Sequence, residues 1–122
     1  MGASKMINEF KRELLAAESV LDTEYSFDLA EPNYLRCLEI VRAHPEMRAQ
    51  FSASLIGLYE ANEVSDEPVA YLMHVLRWPE VASWVEERLR NLPDPVATGA
   101  SLEKILAAYG ERWENKEFYA HL

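Results

Sequence analysis

A chain of 122 residues and 14.0 kDa has the length for one core, and its 49% apolar content, with three Trp, six Tyr and four Phe, excludes a disordered chain. Twelve Lys and Arg against 21 Asp and Glu leave a formal charge of −9, which opposes binding to DNA, RNA or an anionic membrane, whose contacts depend on replacing counterions with basic side chains. A single cysteine, Cys37, excludes an internal disulfide and a thiolate zinc cluster, and four glycines without an Asn-Gly or Asp-Gly step disfavour strand hairpins.

Ser4 reads as the cap of a first helix of about 17 residues, in which Ile7, Phe10, Leu14, Ala17 and Leu21 recur at three- and four-residue spacing. The next stretch, Asp22 to Glu31, interleaves Asp22, Glu24, Asp28 and Glu31 with Tyr25, Phe27 and Leu29. It reads as an ordered loop whose aromatics tuck into the core, with a continued first helix as the alternative.

Pro32 fits the first turn of a second helix carrying Tyr34, Leu35, Leu38 and Val41, with Cys37 beside that stripe as a small buried hydrophobe. His44–Pro45 ends this run and opens a third, with Met47, Phe51, Leu55, Leu58 and Tyr59 on one face. Asn62, Ser65 and Asp66 offer caps to a fourth, whose stripe is Val69, Leu72, Met73 and Leu76. Trp78–Pro79 then opens a fifth, with Val81, Trp84, Val85, Leu89 and Leu92, and with Arg88 and Arg90 near the negative end of its dipole.

Residues 93–100 read as an internal linker because Pro93, Pro95 and Gly99 interrupt any regular element. Beyond it, Ser101 is a candidate cap for a short helix with Leu102, Ile105, Leu106 and Tyr109, closed by Gly110. The last residues, with Trp113, Phe118 and Tyr119, are expected to pack back as a short helical tail, because aromatics left in water forgo burial.

The expected fold is therefore all-α, a compact bundle of about five helices in one domain over residues 1–122. Segments 31–44 with 45–61, and 66–78 with 79–92, also suggest stacked helical hairpins in an αα-superhelix-like arrangement.

Catalytic signatures are sparse. His44, His74 and His121 are too far apart in sequence to share a helix turn, no Glu-x-x-His or Gly-x-Ser-x-Gly occurs, and no glycine cluster could cradle a phosphate. Neither a catalytic residue nor a cofactor or metal site is assigned. The acidic groups Asp22, Glu24, Asp28, Glu60, Glu63, Asp66 and Glu67 would make a small metal-dependent enzyme only by converging in space.

His74, Arg77, Trp78, Trp84, Arg88, Trp113 and Tyr119 are residue types that anchor interfaces, although Trp78 and Trp84 could instead seal consecutive helices. The charge is distributed, at −3 over residues 1–44, −4 over 45–92 and −2 over 93–122, which suits attraction to a basic partner. The leading expectation is a noncatalytic protein-interaction domain, such as an acidic inhibitor or immunity-type protein that neutralises a basic partner. Alternatives are the carboxylate-based enzyme and a self-associating structural subunit or homo-oligomer. Lacking a signal-peptide-like run, the chain is expected in the cytoplasm.

Overall fold

The computed structural model describes residues 2–94 and 99–122. They form six α-helices: α1 Gly2–Glu24, α2 Phe27–Ala43, α3 Arg48–Glu60, α4 Asp66–Leu76, α5 Pro79–Arg90 and α6 Ala100–Ala107. Short 3₁₀ turns at Pro45–Met47 and Glu114–Phe118 complete the described structure, which contains no strand. Among the described residues no helix is long and apolar enough to cross a membrane.

The expected loop from Asp22 to Glu31 shrinks to Tyr25 and Ser26. Helix α1 runs for 23 residues, and α2 starts at Phe27, so that Pro32 lies inside it rather than in its first turn. Without an N–H, Pro32 cannot bond to the Asp28 carbonyl, but burial of Ala30, Glu31, Tyr34 and Cys37 on one face holds the turn together. Ser4 and Ser101 are helical residues, not caps, since α1 already includes Gly2 and the cap of α6 is Gly99. Ser65 does precede α4, but its hydroxyl donates to Glu18 of α1 at 2.9 Å and makes no cap bond. Of the expected linker, residues 95–98 lie outside the described residues.

Helix α1 packs chiefly along α2, while α4 and α5 both pack on α6. The helices of each proline-broken pair touch each other less than they touch these partners, so the expected stacked hairpins give way to a bundle. The two breaks differ locally. After His44 the chain forms a 3₁₀ turn, whereas Arg77 adopts a left-handed conformation and Trp78 an extended one before Pro79 opens α5.

One hydrophobic cluster runs from Phe10 on α1 to Tyr119 in the tail. Phe10 and Phe51 meet with ring centroids 5.0 Å apart, and α4 is buried from Glu67 through His74, which makes it the central rod. Cys37 is buried, and burial pushes its thiol well above the ordinary range, as expected of a packing residue and not of a nucleophile.

Candidate interaction surface

The interaction candidates divide between interior and surface. His74 Nδ1 lies 2.7 Å from the Ala108 carbonyl, which can only accept, so Nδ1 carries the proton. Its ring packs on Trp113 at 5.2 Å, and Trp113 stacks on Tyr119 at 5.9 Å. Trp78 is buried beneath the Arg48 guanidinium, 5.6 Å from its ring, and its carbonyl accepts the Tyr109 hydroxyl. These four aromatic groups therefore hold the core and tail together. Arg77, half-buried Trp84 and Arg88 retain accessible surface.

Trp84 and Arg88 come together in a cleft of about 360 Å³, lined also by Tyr59, Asp66, Ser101 and Leu102. Ser101 donates its only proton to Asp66 at 2.8 Å, so the Tyr59 hydroxyl, 2.7 Å away, must donate to Ser101. The described lining contains no His or Lys that could take a proton from either hydroxyl. As built, the chain Tyr59–Ser101–Asp66 ties α3, α4 and α6 together.

Among the described residues, no three His, Cys, Asp or Glu side chains are placed to hold an ion. Two acids are instead turned inward. Glu31, 2% exposed, accepts the Tyr71 hydroxyl at 2.6 Å and the backbone N–H groups of Ala120 and His121. Glu67, 6% exposed, accepts the Tyr119 hydroxyl and, at 2.8 Å, the Asn115 amide. Burial is the main cause that raises the Glu67 carboxyl, and burial followed by a hydrogen bond to a carboxylate raises the phenols of Tyr71 and Tyr119. These acids clamp the tail. A signal for Glu31 exists in the sequence, since it stands three residues before Tyr34 and in phase with the apolar stripe of α2.

On the seam between α3 and α5, Arg48 makes a two-pronged contact with Glu80, at 2.9 Å from Nε and 2.6 Å from Nη2, and Ser52 adds a third donor at 2.8 Å. The Arg48 hydrogen bonds hold the Glu80 carboxyl at about 2.

A different surface lies at the corner between α1 and α2. Tyr25, expected to tuck inward, is 89% exposed, its neighbour Leu29 is 52% exposed, and only Phe27 is drawn partly into the core. Phe27 meets Phe118 of the tail at 5.4 Å, bringing a second exposed aromatic to this corner. Asp22, Glu24 and Asp28 stand exposed in the same segment. Nothing in the sequence pattern distinguishes Tyr25 from Phe27, because which ring enters the core depends on the angle between the helices. Comparison with protein-family models, curated proteins and solved structures finds no match to this chain.

Proposed function

We propose that the chain is a noncatalytic protein-interaction domain that binds a basic protein partner. The observation that carries this reading is the placement of its surplus acid. With a net charge of −9, the chain turns Glu31 and Glu67 inward to clamp its tail and leaves carboxylates such as Asp22, Glu24, Asp28, Glu86 and Glu87 exposed on three helices and Glu63 exposed in the turn after α3. A surface of one sign raises the rate at which an oppositely charged partner is met, and apolar contacts then set how long it stays. An acidic inhibitor of a basic enzyme, including an immunity-type protein acting in the cytoplasm, is the narrower form of this role.

The test is to isolate a partner from the native cell and follow association by stopped flow across a range of ionic strength. The reading expects a basic partner and an association rate that falls steeply with added salt. A partner of acidic or neutral character, or a salt-independent rate, would overturn it.

A further inference from the structure

The α1–α2 corner has a property that folding alone does not account for. Tyr25 is the left-handed residue that ends α1, with φ 54° and its N–H bonded to the Leu21 carbonyl at 3.3 Å. Glycine is the usual residue there, because a Cβ disfavours positive φ. The other left-handed helix ends have local reasons: Asn62 is a residue type that tolerates the conformation, and Arg77 returns its Nε to the His74 carbonyl at 3.3 Å. At 89% exposure, the Tyr25 ring meets almost only solvent. The chain thus places its most exposed aromatic where a side chain costs stability and packing returns little.

Charge specifies what would cover it. From Glu13 through Leu35 the chain contains no Lys, Arg or His, while Asp22, Glu24 and Asp28 flank Tyr25 as exposed acids. A second copy of this chain would bring like charges together at the corner, and an anionic membrane would do the same. A segment with an apolar stripe bordered by Lys and Arg matches both features.

We propose that Tyr25, with Phe118 and Leu29, is the anchor of a docking surface for a basic amphipathic helix of a partner protein. The apolar stripe of that helix covers the three side chains, and its cations face Asp22, Glu24 and Asp28. The proposal rests on the interaction role given above and adds its location and the form of the partner.

The test uses the full isotopically labelled chain and two synthetic probes of equal length, an amphipathic Lys/Leu helix and a lysine homopolymer, followed by amide chemical shifts. The amphipathic probe should shift resonances around Tyr25, Leu29 and Phe118 and bind more tightly than the homopolymer. Tyr25→Gly should weaken its binding on the order of tenfold while raising the thermal midpoint, an opposition that a merely structural residue would not show. Leu15→Ser, at an exposed leucine about 15 Å back along α1, should leave binding unchanged. Undiminished binding by Tyr25→Gly, or shifts spread alike by both probes over the acidic surface, would overturn the docking corner and leave the broader role standing. Failure of both probes to bind would likewise overturn the docking corner, while the salt dependence of association with the native partner decides the broader role.

Discussion

Tyr71 donates its hydroxyl to Glu31 at 2.6 Å across the contact between α4 and α2, and the same carboxylate receives the N–H groups of Ala120 and His121. One buried acid thereby joins the second helix, the central helix and the end of the chain. A group in this position stabilises as long as its donors stay paired, and its removal leaves the buried Tyr71 hydroxyl without an acceptor and frees the two amides of the tail.

Glu31→Ala should therefore lower stability by about 1–3 kcal/mol, since the buried Tyr71 hydroxyl loses its acceptor and the two tail amides exchange theirs for water. Urea denaturation measures the loss, and hydrogen exchange at Ala120 and His121 should accelerate more than exchange in α3. Unchanged protection of those two amides would show that the tail is held by its aromatics alone.

Three tyrosines pack in this region, with ring centroids 4.6 Å apart for Tyr34–Tyr71 and 4.7 Å for Tyr71–Tyr119, yet their hydroxyls differ. Those of Tyr71 and Tyr119 reach carboxylates, whereas the buried Tyr34 hydroxyl reaches none and has the Tyr119 hydroxyl as its polar neighbour. Tyr34→Phe should consequently change stability by less than about 1 kcal/mol, and Tyr71→Phe should lower it by about 1–3 kcal/mol. Equal effects of the two substitutions in chemical denaturation would contradict this difference.

Glu67 carries a pH dependence of fixed sign. Burial raises its carboxyl above the ordinary value, so the folded chain holds this proton more tightly than the unfolded chain. Its contribution is fully present below the ordinary carboxylate value and is lost as pH rises through the raised one. Wild type should lose stability relative to Glu67→Gln over that window in a pH series of urea midpoints. A difference between the two that stays constant with pH would refute the assignment.

Glu80 has the opposite sign. Held at about 2 by Arg48, it adds stability above the ordinary carboxylate value that disappears as pH falls toward 2. In Arg48→Gln the Glu80 side-chain resonance should titrate close to an ordinary glutamate, and the stability difference from wild type should shrink in strong acid to what the Arg48–Trp78 contact supplies. Persistence of the low titration in the variant would mean that Ser52 and the start of α5 hold the charge instead.

Gly57 lies within α3, and a Cβ built there meets nothing within 4 Å. Because glycine loses more backbone freedom on folding than alanine, Gly57→Ala should stabilise the chain by roughly 0.5–1 kcal/mol. Thermal denaturation reads the change, and a lower midpoint would indicate that this face is covered.

Much of the architecture is legible in the amino-acid sequence. Spacings of three and four place Phe10, Leu14 and Ala17 inward on α1 and Phe51, Leu55 and Leu58 inward on α3, and both expected proline breaks fall between helices. The segment around Pro32 reads as a loop because of its acids and proline, while the burial that carries α2 through the proline comes from other helices. Of the interaction candidates, Trp84 and Arg88 share a cleft, whereas His74, Trp78, Trp113 and Tyr119 face inward. An aromatic on a stripe looks the same in sequence whether its neighbour is another helix or water.

The amino-acid sequence by itself determined the helical class, the acidic character and the stripes that enter the core, because these depend on residue type and on the period of one helix. Only the tertiary structure decided that Glu31 and Glu67 are buried under a tail distant in sequence and that Tyr25 stands outside while Phe27 goes in. Those outcomes depend on how helices are angled against one another, a relation between distant segments that no local pattern contains.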